Sequence, residues 1–473
     1  MKLMMTTLLA ALVLAGCATP PPIDESRLPA TPAAFKTLQG PQGSAPVADG
    51  RWAVVPPSDA EPRGDWWLAF GDAQLNDLEQ RALRNNTDLQ SAAARLAQAR
   101  ALSRSADADR LPQVGANAGA YRGTTAGQGP AVTPLYRAGL TASWEADLSG
   151  RLTQASRAAR LDTQAREALL QSTRLMVQAD VAQTYLSLRF TDQERRLVRD
   201  TVAAYRETLA LTQRRYQAGD VAELDLARVQ AEVASTEAEA VALDRRRAQL
   251  ENALAVLLGE PASGFSLAEA QDLAALPAIP AGLPSAVLAR RPDVAAAQRS
   301  LLAAQARVGV AQAAWFPSLA LTATGGYASP ELSDVFKWSA RAWSVDALLS
   351  LPLFDGGRRK AGIESAQAGL DLAMADYRQQ LLQALREVED SLSGLQLLSR
   401  QSEVQAQAVD AASRATALSD ARYRNGFISQ LDLLDARRSE LRNRRVALQV
   451  QAEQYQATVG LVRALGGGWT PAG

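Results

Sequence analysis

Of its 473 residues none is histidine and one is cysteine, aromatic side chains make up only 5%, and acidic and basic groups balance at 50 each. Each shortage closes off a class of chemistry. Without imidazole, and with a single thiol, one chain can assemble neither a zinc finger, a Ser/His/Asp triad nor an internal disulfide. Zero net charge removes the electrostatic case for nucleic acid, which is not expected as a partner. Beyond residue 16 no stretch approaches the roughly 18 uninterrupted apolar residues from which a membrane-spanning helix is read, so a chain that crosses a membrane here must use strands. No Gly-rich phosphate loop, metal-ligand cluster or nucleophile with a base can be assembled, and neither enzymatic activity, a bound metal nor a cofactor is expected. Length alone allows about three domains of roughly 150 residues, a prior that internal repetition can defeat. The 47% hydrophobic content, rich in alanine and poor in rings, suits long helices better than one bulky core.

Lys2 precedes a short apolar stretch, 3–15, that ends in Leu14-Ala15-Gly16-Cys17. It is too short to span a bilayer and reads as an export signal, residues 1–16. The small residues before Cys17 resemble the bacterial lipobox, which implies cleavage before the cysteine and palmitate-type acylation of the new amino terminus. Ala18 stands where an aspartate would, by resemblance to lipoproteins, favour the inner membrane; the outer membrane is expected. Residues 17–62 carry ten prolines, from Pro20 to Pro62, so neither a helix nor a central strand runs through them, and they form a lipid-anchored tether or wrap.

The mature chain is duplicated with a period of about 206 residues. Asp88 to Pro112 and Asp293 to Pro317 are both 24 positions; Arg215-Tyr216-Gln217-Ala218-Gly219 recurs as Arg422-Tyr423-Arg424-Asn425-Gly426, and Leu224-Asp225-Leu226 as Leu431-Asp432-Leu433, offset by 207. Chance similarity of Ala-rich helices would not hold one offset across helix, proline, turn and glycine. The first repeat spans 63–259, the second 290–466, with a linker at 260–289 and a tail at 467–473. Each repeat reads as helix, strand pair, very long helix, turn and second helix. Leu140, Ala142, Trp144, Ala146 and Leu148 alternate with more polar residues, as do Leu319, Leu321 and Ala323, and Trp343, Val345, Ala347, Leu349 and Leu351; residues 114–123 complete four strands of about membrane-spanning length. Hairpin loops are expected at 124–134 and 328–340.

From residue 358 to 424 there is no proline, and Leu370, Met374, Tyr377, Leu381, Leu385, Val388, Leu392 and Leu395 recur at spacings of three and four, a coiled-coil seam. Returning helices are expected at about 221–257 and 428–465. Four strands cannot close a barrel alone, and unpaired backbone in lipid costs several kcal/mol per group, so several copies must share one barrel. The fold class expected is α+β, an internally duplicated membrane protein. Each chain contributes four strands to a shared barrel and long helices to a coiled-coil cylinder.

At this point the residues resemble the TolC-like outer membrane efflux factors, in particular their lipoprotein branch. Trp66-Trp67 with Phe70, Gly71-Asp72 and Leu75 is similar to that family's opening motif, and the Tyr-x-x-Gly turns followed by Leu-Asp-Leu are its most specific local feature. The resemblance covers nearly the whole mature chain. It implies a homotrimer with a 12-stranded barrel in the outer membrane and an α-helical tunnel through the periplasm. The tunnel docks on a periplasmic adaptor and an inner-membrane pump and carries small toxic compounds or drugs outward. Ducts for type I protein secretion or heavy-metal efflux are alternatives, and a non-channel exported coiled-coil scaffold is a third reading.

The resemblance also places the two turns at the periplasmic tip. Asp225 and Tyr423 match positions of polar links that hold the family's closed state, and Asp432 and Asp435 match rings of aspartate at the entrance. Three copies of Asp432 near one axis would raise one another's pKa and offer a site for a plugging cation. Gly219, Asp220, Leu224, Gly426, Ile428 and Leu431 are the expected adaptor-contact positions. Ile428 stands where the family's best-known member has an arginine, so the latch must differ. Ser429-Gln430-Leu431-Asp432 is equally a capping box, with Ser429 as N-cap, and Asp220-Val221-Ala222-Glu223 repeats that pattern; capping and a ring role remain open for Asp432. Asp435, one turn further in, is beyond capping.

Overall fold

The computed structural model describes residues 21–30, 32–39, 64–123, 132–269, 276–277, 287–288 and 290–467. The signal, Cys17, part of the proline-rich segment, most of the linker and the tail after residue 467 lie outside the described residues. Among the described residues no helix is long and apolar enough to cross a membrane. In chain order the main elements are α1 (Ala73–Asn85), α2 (Thr87–Ala108), β1 (Gln113–Gly123), β2 (Thr133–Ala146), α3 (Arg151–Gln217) and α4 (Glu223–Leu257), then α5 (Pro292–Ala313), β3 (Ser318–Ser329), β4 (Arg341–Ser350), α6 (Arg358–Arg424) and α7 (Gln430–Ala464). The duplication is borne out by length: α3 and α6 have 67 residues each, on the order of 100 Å at 1.5 Å per residue, and α4 and α7 have 35 each. Neither long helix contains proline.

The chain divides into two compact units. One comprises the described residues of 21–29, Ala94–Ala168 and Ala295–Gln380, the other those of 30–93, Leu169–Val294 and 381–467. The first holds a four-stranded antiparallel sheet in the order β1-β2-β3-β4. Its register sorts residues by face. Val114, Ala142, Ala323 and Val345 form one cross-strand row and Ala116, Leu140, Gly325 and Trp343 the next, while the intervening row on the other face is Gly115, Thr141, Thr324 and Ser344. One face is therefore apolar and the other polar, with Asn117 donating to Thr141 Oγ1 at 2.6 Å. The expected strands need two corrections at their inner ends. Leu148 falls outside β2, because the Asp147 carboxylate turns the chain early by accepting the Leu152 and Thr153 N–H groups at the start of α3. Leu351 falls outside β4, next to Pro352, which has no N–H for a ladder, and the Asp355 carboxylate then accepts the Gly357 and Arg359 N–H groups. The loops are also shorter than expected: Thr133 and Pro134 belong to β2, and Ala328 and Ser329 to β3.

The second unit is built on an apolar core where the opening motif acts as packing. Trp66, Trp67 and Phe70 are buried with Leu75, Leu78, Tyr185, Phe190 and Tyr455. Gly71 takes φ +63°, a left-handed conformation that glycine adopts without a Cβ penalty. Asp72 then caps α1 through the Gln74 and Leu75 N–H groups and accepts the Tyr185 hydroxyl at 2.6 Å. Of the tether-or-wrap alternatives for the proline-rich segment, its described part is a wrap. Phe35 is 1% exposed in this core, and the Glu389 carboxylate accepts the Lys36 N–H and the Thr37 hydroxyl. The expected seam of α6 holds here, with Leu381, Val388 and Leu392 buried.

The two repeats close on this unit by equivalent contacts from different residues. The Asn86 side-chain amide donates to the Leu257 carbonyl at 2.8 Å at the end of α4, and Arg291, 205 positions on, donates to the Ala464 carbonyl at 3.0 Å at the end of α7. Arg291 also bonds the carboxylates of Asp293 at 2.6 Å and Glu387 at 2.8 Å.

Candidate functional site

The long helices of both repeats end in the same backbone device. At the end of α3 the Gly219 N–H donates to the Tyr216 carbonyl and the Asp220 N–H to that of Arg215; at the end of α6 Gly426 bonds Tyr423 and Phe427 bonds Arg422 in the same pattern. This is a Schellman closure, and it requires a left-handed residue at the position that Gly219 fills with φ +85° and Gly426 with φ +75°. Asp220 is thereby corrected. It is the residue after the turn glycine, not the cap of α4, because the N-cap there is Ala222, which has no side-chain oxygen. In the second repeat the expected capping box is present. Ser429 caps α7, its hydroxyl accepting the Asp432 N–H, while the Asp432 carboxylate accepts the Ser429 N–H at 3.1 Å and hydroxyl at 2.8 Å.

Around this box the helices of the two repeats are tied together. Tyr423 is buried at 6% exposure, and its hydroxyl donates to Gln430 Oε1 at 2.5 Å. The same oxygen accepts the Thr212 hydroxyl of α3 at 3.0 Å, and the Arg215 guanidinium lies 5.2 Å over the Tyr423 ring. One turn or two further along α7, Arg437 donates to Thr208 Oγ1 at 2.6 Å and to the Asp420 carboxylate at 3.0 Å. Arg438 pairs with Glu232 of α4, and Arg445 with Glu194 at 2.9 Å and Glu239 at 2.8 Å. Hydrogen bonding to Glu232 raises the Arg438 pKa, keeping that charge in place. Under these bonds Tyr205, Val229, Val233 and Leu434 form a small apolar cluster, and burial pushes the Tyr205 phenol up to about 12.

The structure thus brings Tyr423 into a polar link with Gln430, Thr212 and Arg215, and not with Asp225, whose carboxylate has Arg228 as its nearest cation, 3.8 Å away on the same helix. Asp435 is exposed and faces Arg438 at 3.4 Å. Leu224 and Leu431 are exposed beside the turns, Ile428 is half-buried, and Phe427 is 74% exposed. Gln430, Thr212, Arg215 and Arg437 escaped sequence reasoning. Gln430 stands inside the capping box, whose spacing assigns it no role. Its contact with Thr212 crosses 218 residues, beyond any local pattern. The heptad steps Glu232 to Glu239 and Arg438 to Arg445 were the legible signal for the ionic ties.

Sheet and turns together define the class: an outer membrane channel subunit with a barrel share of four strands and a tunnel share of paired helical hairpins. The outer membrane efflux protein model matches residues 78–260 and 283–467. The pyoverdine export outer membrane protein OpmQ of Pseudomonas aeruginosa is 34% identical over 97% of this chain and 96% of its own. The cation efflux system protein CusC of Escherichia coli strain K12 is 32% identical over 97% and 98%. The solved outer-membrane channel OprN superposes with a TM-score of 0.87 at 32% identity, covering 96% of this chain and 100% of that one. The chain belongs to the outer membrane efflux protein family, and the outer membrane location and export role expected from the sequence stand.

Proposed function

We propose that three copies of this chain close a twelve-stranded barrel and continue it as a helical tunnel, forming the passive duct of a tripartite efflux system that docks on a periplasmic adaptor and an inner-membrane pump. The observation that carries this is the sheet itself. In the order β1-β2-β3-β4 the outer strands β1 and β4 each lack a partner on one side within the described residues, and one face is apolar. Such a sheet is untenable in lipid until β4 of one copy pairs with β1 of the next. Cys17, once acylated, anchors each copy to outer membrane lipid. The duct performs no chemistry and needs no cofactor. Relatives of nearly equal identity carry names for pyoverdine export and cation efflux, which fits a conduit whose pump chooses the cargo; small toxic compounds or drugs are the cargo class proposed here.

The paired turns form the periplasmic gate and the adaptor contact. With isoleucine at position 428, the Tyr423–Gln430–Thr212 link and the Arg437 and Arg438 ties hold α7 against the first repeat. Asp432 and Asp435 narrow the entrance by charge, and Asp225 lies behind them. Gly219, Asp220, Leu224, Gly426, Ile428 and Leu431 present the tip to the adaptor. Planar-bilayer recording tests the assignment: purified protein forms pores of low conductance, and Gln430→Ala, or Asp432→Asn with Asp435→Asn, raises it several-fold. Pores whose conductance none of these changes alters would remove the gate from these residues.

A further inference from the structure

The two margins of the sheet's apolar face are built alike and charged differently. At the inner margin the Arg359 guanidinium stacks over the Trp315 ring at 4.5 Å and is neutralised by the Asp355 carboxylate at 2.7 Å. On the polar face at the same end, Arg151, which follows β2, is held by Glu145 at 2.7 Å. At the outer margin the stack recurs, with Arg341 over Trp338 at 4.5 Å, next to Phe336 packed edge-on to Tyr327 at 6.0 Å. Here the counter-charge is missing. Among the described residues neither Arg341 nor Arg122, at the outer end of β1, has a carboxylate partner. Residues 124–131 contain no acid. In the β3–β4 hairpin Asp334 is taken by Lys337 at 2.6 Å, and Glu331 pairs with neither arginine.

Both arginines lie on the face that meets lipid. Arg341 is in phase with Trp343 and Val345 along β4, and Arg122 with Val114 and Ala116 along β1. A guanidinium at a lipid interface without a protein counter-charge recruits an anion, and one stacked flat on indole keeps its fork free for the bidentate geometry that phosphate offers. We propose that the outer margin is a binding site for the phosphate groups of an outer-leaflet glycolipid. Arg341, oriented by Trp338, and Arg122 from the next copy meet at the β4–β1 seam and grip the phosphorylated headgroup, with Tyr327 and Trp343 against its acyl chains. This site rests on the shared barrel proposed above, because the two arginines stand on opposite edges of one chain's sheet.

The test uses the full-length protein in mild detergent, titrated with bisphosphorylated lipid A, the same lipid stripped of phosphate, and phosphatidylcholine. Retained lipid is counted by native mass spectrometry, and pore conductance is recorded on the same preparation. The wild type should retain the phosphorylated lipid about tenfold more tightly than the stripped form. Arg122→Ala with Arg341→Ala should abolish that preference, Trp338→Ala should reduce it, and Arg359→Ala should leave it intact. Equal retention of the two lipid A forms, or a preference that survives in the double variant, overturns the site. A conducting trimer without the preference defeats this inference alone, whereas a monomer without pores defeats the shared barrel and the site together.

Discussion

The two repeats share a backbone and diverge in what their side chains do with it. Both long helices stop at a left-handed glycine with the same pair of carbonyl bonds. Yet Tyr216 in the first repeat is 40% exposed, while its counterpart Tyr423 is buried against Gln430 and Arg215. Ser429 caps α7 through its hydroxyl, and Ala222 in the same place cannot cap α4. At the other end of the hairpins, Asn86 and Arg291 reach equivalent carbonyls, one with a neutral amide and the other with a charge shared by two carboxylates. Duplication preserved the turn geometry, which glycine fixes, and left the polar links free to specialise. The second repeat carries the buried tyrosine and its glutamine, and the first supplies the Thr212 hydroxyl and the Arg215 guanidinium that they meet.

That asymmetry can be broken from either side. The largest effect is expected at the closing corners. Arg291→Ala removes the buried charge shared by two carboxylates and should cost about 3 kcal/mol, against about 1 kcal/mol for Asn86→Ala, read from thermal unfolding of the purified protein. A pH effect confined to the first repeat comes from Glu79, fully buried with no partner for either carboxylate oxygen among the described residues. Burial, with Asp65 nearby, holds its pKa well above the ordinary carboxyl value. A raised folded-state pKa leaves stability intact below the unfolded value near about 4.3 and erodes it as pH rises beyond that. Glu79→Gln should therefore raise the melting temperature at about pH 8 and change it little at about pH 4.

Smaller effects separate the two tyrosines. Tyr423→Phe removes a buried bond worth about 1 kcal/mol and should raise resting conductance, whereas Tyr216→Phe should leave both stability and conductance unchanged. The caps separate the repeats again: Ser429→Ala should cost about 1 kcal/mol, and Ala222→Ser, the smallest effect, should return a few tenths by giving α4 the cap it lacks, both measured by hydrogen exchange in the first turns of the helices.

What was legible in the sequence was whatever repeats locally. Period-two alternation placed three strands and hairpin pairing the fourth, at 114–123; proline-free runs placed the long helices, and Gly219 and Gly426 marked both turns because only glycine takes that backbone without strain. At the inner strand ends alternation runs on through Leu148 and Leu351, while the breaks are made by the Asp147 carboxylate accepting N–H groups from the helix after β2, and by Pro352 and the Asp355 carboxylate after β4. The capping box at Ser429 was readable from spacing alone. Its supposed twin at Asp220 was not a cap, since the same spacing there starts two residues too early. The polar link between the repeats was out of reach for a different reason. Thr212, Tyr423, Gln430 and Arg437 meet only when the two repeats pack, and no periodicity within one helix encodes a contact made across two hundred residues.

The claim on which all of this depends is that one chain's sheet is too small to seal its own edges. Native mass spectrometry of the full-length protein extracted in mild detergent measures the outcome directly. Three chains per particle, dissociating only with loss of sheet structure, is the predicted result. A single chain of 50.4 kDa or less after signal removal, stable without detergent and retaining its strands, would contradict it.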